Sequence, residues 1–292
     1  MVRLFVRFLL IALIIGISFS GHLVAGNDTG VPFKVVSWNI RLDTDHDGSN
    51  AWRFRRDAFC SYVQEQSADI IGLQEVLHHQ LAEIITALPE FKYAGVGRAD
   101  GITEGEYSPV LYRAEKFELM EKGDFWLSEQ PDKAGSMGWD AACERIVSWV
   151  KLREKLTGSV IYVFNTHFDH VGQQARLNSV RLILERIALI AGDLPVLLIG
   201  DLNITPKNEA YKMLAVSHLA DAREWAKSTT DYDAITYTGF DFDQGNDALI
   251  DFIFHSQHFK VLSYTVGKAN TADKFLSDHL PVIVKFGINP AD

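Results

Sequence analysis

The sequence predicts an α/β (α+β) protein in which two packed mixed sheets are covered by helices. Short apolar runs rich in Val, Ile and aromatic residues recur along the chain, and longer stretches with helical periodicity separate only some of them. Some runs are followed by a helix while others adjoin one another through turns, an order that fits two mixed sheets better than one doubly wound parallel sheet. No Ser/Gly run, Pro-rich tract, charge block or internal repeat divides the chain, so residues 26–292 read as one domain.

In chain order the expected strands are Phe33–Trp38, Ile70–Leu73, Pro109–Tyr112, Val147–Leu152, Val160–Asn165, Val196–Ile199, Leu249–Phe254, Lys260–Thr265 and Pro281–Phe286. Helices are expected over Arg53–Gln66, His78–Leu88 and Gln174–Ala191. In the last of these Leu177, Val180, Leu184, Ile187 and Ala188 share a face, and Gly192 supplies a stop.

The first residues differ from the rest. Arg3 and Arg7 precede an unbroken apolar run from Phe8 to Ile17, and small residues follow it, among them Ser18, Ser20, Gly21 and Ala25. This basic, apolar and small order reads as a secretory signal peptide over residues 1–25, too short an apolar run for a stable membrane anchor. Export to a bacterial periplasm or beyond is the expectation, as a monomer. Loss of Arg3 and Arg7 would lower the net charge by two from its value of -10. So acidic a protein has no general attraction for nucleic acid or anionic membrane. Export permits a disulfide between Cys60 and Cys143, but two lone thiols fit the sequence equally well.

Polar residues capable of chemistry follow the apolar runs repeatedly: Asn39, Glu75, His167, Asp201 with Asn203, and Asp278 with His279. Rigid strand ends are where a preorganised site belongs. Asp251 interrupts the run from Leu249 to Phe254, and a carboxylate inside an apolar strand is costly unless paired or metal-bound.

The runs Ser37-Trp38-Asn39-Ile40, Gly72-Leu73-Gln74-Glu75, Asn165-Thr166-His167-Phe168, Gly200-Asp201-Leu202-Asn203, Leu249-Ile250-Asp251-Phe252 and Ser277-Asp278-His279-Leu280-Pro281 occur in that order. Together they resemble the endonuclease/exonuclease/phosphatase superfamily, which holds pancreatic deoxyribonuclease, sphingomyelinases, inositol-polyphosphate 5-phosphatases and deadenylases. The resemblance implies a four-layered αββα sandwich and metal-dependent hydrolysis of a phosphoester by an activated water. It implies Mg²⁺, with Mn²⁺ as a substitute, near Glu75, Asn39 and Asp278. Asp201 would be the general base, with Asn203 orienting water or phosphate and Asp251 holding His279. His167 would be a second phosphate-binding or leaving-group histidine, partnered by Glu106. Apurinic endonucleases carry tyrosine at the position of His167, so the chain departs from the DNA-repair branch. Arg145 and His170 are candidate substrate contacts. A catalytically dead binding protein and a zinc hydrolase are the competing classes. Every expected catalytic position is filled, and no spaced His pair with a carboxylate marks a zinc site.

Other signals carry less. The run Asp43-Thr44-Asp45-His46-Asp47-Gly48 matches half a calcium loop, but Phe54 stands where its bidentate Glu belongs, so an acidic rim beside Asn39 is expected. His78 and His79 read as exposed residues opening a helix, Gly95-Val96-Gly97 as loop, and Arg53-Phe54-Arg55-Arg56 as a solvated face. The expected substrate is therefore a small, sugar- or headgroup-type phosphodiester, with DNA or RNA as the alternative. Mass spectrometry of the protein from its native cells should find a terminus after Ser20 or Ala25; an intact Met1 or Val2 would refute export by this leader.

Overall fold

The computed structural model describes residues 31–230, 235–241, 248–271 and 274–288; the leader expected over residues 1–25 lies outside them. In chain order the strands are β1 (Phe33–Asn39), β2 (Ile70–Gln74), β3 (Phe91–Ala94), β4 (Val110–Arg113), β5 (Phe117–Trp126), β6 (Ile146–Glu154), β7 (Val160–His167) and β8 (Val196–Asp201). They continue with β9 (Leu219–Asp221), β10 (Thr229–Thr230), β11 (Asp251–Ser256), β12 (Phe259–Val266), β13 (Asn270–Thr271), β14 (Lys274–Phe275) and β15 (Val282–Ile288). The helices are α1 (Trp52–Gln66), α2 (His78–Ala87), α3 (Gln173–Ile190), α4 (Glu209–Ala215) and the single turn α5 (Ala222–Trp225).

Among the described residues one sheet runs β10-β12-β15-β1-β2-β4-β3 and the other β5-β6-β7-β8-β11-β9, with β13-β14 a small separate pair. The sheets stack through alternating side chains. Val163, Leu197, Ile199 and Ile253 point inward onto Val35 and Ile70 of the first sheet, whose other face, with Val36, Trp38, Ile71 and Leu73, is closed by α1 and α2 through Phe59, Val63, Leu81 and Ile84. In the second sheet the neighbouring Phe164, Leu198, Phe252 and Phe254 face the opposite way, onto Val180, Ile183 and Ile187 of α3 and Leu214 of α4. The result is the four-layered αββα sandwich. At about 1.5–3 kcal/mol for each fully buried large apolar side chain, these two interfaces dominate the favourable side of folding.

Each expected strand is present, shifted by a residue or two at its ends. The structure adds β3, β5, β9 and β10, the outer strands of the two sheets, and the short pair β13-β14. β5 reads Phe-Glu-Leu-Met-Glu-Lys-Gly-Asp-Phe-Trp, and a strand with one neighbour can carry such charges on its open side. The buried face of α3 is Ala175, Ser179, Val180, Ile183 and Ile187. Leu177 and Leu184 flank it and Ala188 is exposed, a correction to the expected face. Leu182 and Ile190 also pack at its margin, so the apolar stripe is broad, and the small Ala175 and Ser179 set which line approaches the sheet. Gly192 adopts φ +57° just beyond the helix, the left-handed stop its position implied.

Strand direction gathers the polar residues. β1 and β2 are parallel, as are β7 and β8, so each pair delivers its C-terminal end to one edge of the sandwich. β15 runs antiparallel to β1 and β11 antiparallel to β8, so these bring their N-terminal starts to that same edge. Asp251 therefore opens β11 rather than interrupting a strand, and its register partner is Asp201. Below the edge the sheets approach closely. A side chain at Gly72 would meet Ile199 Cδ1 at 2.4 Å and the Asn165 carboxamide at 2.9 Å. Across this contact Gln74 Nε2 donates to Asn165 Oδ1 at 2.7 Å, and Asn165 Nδ2 donates to the carbonyls of Leu73 and Pro109.

Arg55 corrects the reading of Arg53–Arg56 as a solvated face, because it is almost fully buried. Its guanidinium donates to the carbonyls of Ile40, Leu276, Asn50 and Arg41, tying the segment after β1 to the segment before β15. Burial pulls its pKa down to about 10. Arg55→Ala should lower unfolding stability by about 2–4 kcal/mol, the scale for orphaning several buried carbonyls. Urea denaturation measures this, and a loss below about 0.5 kcal/mol would contradict it.

Candidate active site

The deepest part of the site is ionic. Asp251 Oδ2 accepts from His279 Nδ1 at 2.8 Å, and His279 Nε2 lies 3.7 Å from Asp201 Oδ2. All three residues are buried. Burial and then the charge of Asp251 push Asp201 up to about 7. Burial alone would depress His279, yet Asp251 and Asp201 outweigh it and push the imidazole up to about 10. Trp38 Nε1 donates to the His279 carbonyl, and Ser277 Oγ donates to the Asn39 carbonyl and accepts from the His279 backbone N–H. The segment carrying His279 is thus locked to the end of β1.

Asn39 bridges to a second group. Its Nδ2 donates to Glu75 Oε1 at 2.8 Å and to Asp201 Oδ2 at 3.0 Å, while its Oδ1 accepts from the Arg41 N–H. Asn39 therefore aims two carboxylates, and its own oxygen is engaged by backbone instead of facing the gap as a metal ligand. Glu75 Oε2 and Asp278 Oδ2 each lie 3.9 Å from the Arg41 guanidinium. A positive charge thus fills the gap between two carboxylates, the place a divalent cation would take. Two carboxylates beside open space suit a hard cation that keeps waters and takes substrate oxygens. Glu75, His167 and Asp201 also bring ligand atoms within 4.8 Å of one another. Arg41, Glu75 and Asn203 all hold left-handed backbone, at φ +59°, +59° and +48°. Such strain costs about 1–3 kcal/mol per residue and concentrates at working sites.

The opposite wall is basic. Asn203 Nδ2 donates to the Phe168 carbonyl and meets His167 Nε2 at 3.0 Å, which places Asn203 beside the imidazole as well as beside Asp201, whose Oδ1 accepts from the Asn203 N–H. Burial and the charges of Arg145 and Arg98 hold His167 well below the usual histidine range. The expected partner of His167 stands beside it without a hydrogen bond. Glu106 Oε2 stands 3.9 Å from His167 Nδ1, too far for a hydrogen bond, because Arg98 takes both carboxylate oxygens at 2.7 and 2.8 Å. Arg145 is buried. It donates to Asp169 and through Nη2 to Nδ1 of the exposed His170 at 3.0 Å, and its Nη1 has no protein partner. Asp169 is fixed in turn by the backbone N–H groups of Ala142, Val171 and Gly172.

These residues line one cleft of about 470 Å³, which also takes in Tyr237, Cys143, Leu42 and Ile250. Arg41, Arg98 and Tyr237 were not singled out from sequence. Arg41 follows Asn39-Ile40 directly, and that adjacency was the available signal; Arg98 and Tyr237 sit in loops without periodicity. The acidic rim is also corrected. Asp47 is forked by Arg41, Asp45 pairs with Arg53 and Asp43 with His79, so the loop consumes cations instead of presenting bare negative charge to the cleft. His78 and His79 are exposed and outside the cleft lining. Cys60 and Cys143 are both free.

Two carboxylates around a cation gap, a buried Asp facing an Asp-held imidazolium, and donors on the far wall define a metal-dependent phosphoester hydrolase. Residues 36–279 match the model of the Endonuclease/Exonuclease/phosphatase family, and the chain belongs to it. An endonuclease/exonuclease/phosphatase from Bacteroides vulgatus is 38% identical, with a TM-score of 0.84 over 89% of this chain and all of that one. A mannosyl-6-phosphatase from Bacteroides thetaiotaomicron is 36% identical, with a TM-score of 0.82 over 87% of this chain and 99% of that one. Carbon catabolite repressor protein 4 homolog 3 of Arabidopsis thaliana is 26% identical over 64% of this chain, which spans only 43% of that protein's length. Chelation with EDTA should abolish turnover, and Glu75→Ala, Asp201→Ala and His279→Ala should each lose on the order of 10²–10⁴ in kcat. Steady-state kinetics with and without added divalent cation test this, and near-wild-type turnover in any of the three would overturn the site.

Proposed function

We propose that the protein hydrolyses a small, sugar- or headgroup-type phosphoester with Mg²⁺ or Mn²⁺, outside the cytoplasm. Asp201, with a pKa near 7, accepts the proton of the attacking water, and Asn39 and Asn203 fix its two oxygens. His279, kept protonated by Asp251, donates to a phosphate oxygen as charge builds there. Arg145 offers Nη1 to another oxygen, and the brackets of Asp169 and His170 hold it in place. His167, whose Nε2 lies 3.4 Å from Asp201 Oδ2, stands beside the base as a second imidazole of the cleft. Glu75 and Asp278 would hold the cation, which supplies Lewis-acid neutralisation of the phosphate when bound.

The observation that supports the substrate reading is a compact cleft of paired charges in an acidic chain. The charge is -10, yet Arg41, Arg98, Arg145 and His279 line one open cleft of about 470 Å³ together with Glu75, Glu106, Asp201 and Asp278. That volume suits one phosphate with a small attached group. Duplex binding draws on Lys and Arg spread along several phosphates, and the one such cluster in the sequence is spent on Arg55's buried carbonyl bonds and surface pairs. The 36% identity to a mannosyl-6-phosphatase supports the same reading. At physiological salt, kcat/KM for mannose 6-phosphate and related sugar phosphoesters should exceed that for single-stranded RNA and duplex DNA, with Glu75→Ala as the contamination control. Equal or better cleavage of either nucleic acid, falling steeply with salt, would make it a nuclease.

A further inference from the structure

The unmade contact between His167 and Glu106 has a consequence for selectivity. Asn203 Nδ2 faces the Phe168 carbonyl, which fixes that amide's orientation, so at 3.0 Å it donates to His167 Nε2. That shorter contact outweighs Asp201 Oδ2, which lies 3.4 Å from the same nitrogen and already accepts from Asn39, and it leaves the His167 proton on Nδ1. That N–H is buried, has no partner and stands 3.9 Å from Glu106 Oε2. Buried donors are rarely left so. Glu106 would need to move about 1 Å to accept it, since a normal hydrogen bond spans about 2.7–3.2 Å. What keeps it away is the Arg98 fork.

Arg98 is itself presented by a built loop. Its N–H donates to the Glu106 carbonyl at 3.1 Å, and its carbonyl accepts from Trp126 Nε1 at 2.6 Å. Asp100 Oδ1 closes the turn beyond it by accepting from the backbone of Ile102, Thr103 and Glu104. The side chain is 14% exposed and lines the cleft beside Arg145. Glu106 and an incoming phosphate therefore compete for the same guanidinium.

We propose that Arg98 is a specificity-determining residue that selects phosphomonoester dianions, exchanging Glu106 for a phosphate oxygen while the released carboxylate closes on His167 Nδ1–H. The inference rests on phosphoester hydrolysis in this cleft. A monoester near neutral pH carries up to two charges and three non-bridging oxygens, whereas a diester carries one charge and two. The bound cation, Arg145 and His279 suffice for a diester's single charge, and the second charge of a monoester is what Arg98 would meet. Only a ligand of that charge replaces a carboxylate on the guanidinium without loss. The exchange leaves no buried group worse paired: Arg98 keeps an anionic partner, Glu106 gains the imidazole N–H, and His167 gains its missing acceptor. The monoester thus completes the histidine–glutamate pair, and the diester leaves it open.

The test compares kcat/KM for a sugar monophosphate and for its methyl diester in the wild type, Arg98→Gln and Arg98→Lys. The wild type should favour the monoester. Arg98→Gln should lower the monoester-to-diester ratio on the order of 10–100-fold, the scale of a lost charge-assisted hydrogen bond. Arg98→Lys, which keeps the charge without the fork, should recover part of it. Histidine side-chain NMR on the divalent-loaded protein supplies a readout that a purely structural role would not move. Inorganic phosphate should shift the His167 Nδ1–H resonance downfield in the wild type. In Arg98→Gln, where Glu106 is already free, the resonance should lie downfield before phosphate is added. An unchanged ester ratio in Arg98→Gln, or a His167 resonance indifferent to both phosphate and that substitution, would overturn the proposal. A wild type that prefers the diester overturns it while leaving the phosphoester reading intact; a wild type that cleaves neither ester overturns both.

Discussion

Asp201 and Asp251 face each other across the β8–β11 pairing, both buried, and the rest of the site follows from that placement. Two carboxylates so close cannot both ionise in a dry interior without a cation between or beside them. His279 supplies it, bonded to Asp251 and 3.7 Å from Asp201. One carboxylate is thereby committed to the imidazolium, and the other is left near neutrality, able to take a proton. Removing His279 leaves two uncompensated buried acids, so its loss would disturb Asp201 as well as its own role. The same logic extends outward to Asn39, whose amide holds Glu75 and Asp201 at once and so couples the cation gap to the base.

Holding this arrangement requires the two sheets to meet in a fixed register. Groups from β1, β2, β7, β8, β11 and the start of β15 converge, and a slip of one residue would turn each side chain to the opposite face. The Gln74–Asn165 bond and the bare Gly72 lock the sheets just beneath the site. Arg55 does the corresponding work at the rim, where its bonds to Ile40 and Leu276 join the chain after Asn39 to the chain before Asp278. A guanidinium is suited to this place, because several carbonyls from different segments converge and one planar group with five donors can satisfy them.

The features legible in the sequence are those set by short-range pattern. Apolar runs bounded by polar residues located the central strands, and the polar residues that end them all arrive at one edge because paired strand directions put them there. Edge strands were harder. β5 carries Glu118, Glu121, Lys122 and Asp124 between its aromatic ends, and β3 is only four residues long, so neither produces a strong periodic signal. Within the site, partnerships were less legible than identities. Glu106 was expected beside His167 and stands near it, but nothing local in the sequence says that Arg98, eight residues earlier, will take both its oxygens. The same is true of Arg55. Its burial depends on carbonyls freed by two remote segments, and its helix position alone gives it the look of a surface residue.

Net charge and local charge act on different scales, and the difference governs what this molecule can select. An overall negative charge weakens the approach of a long polyanion at distances set by the Debye length, about 8 Å in physiological salt. Inside the cleft that field is overridden by guanidiniums a few ångströms away. Those guanidiniums are not free. Arg41 is shared among Asp47, Glu75 and Asp278, and Arg98 is taken by Glu106. Arg145 differs in being buried while its Nη1 makes no hydrogen bond. A ligand that enters meets guanidiniums already set against carboxylates at Arg41 and Arg98, and a buried one with an unbonded Nη1 at Arg145. Such a cleft would weigh the charge and oxygen count of a ligand more than its size, because each anion that enters is measured against a carboxylate already in place.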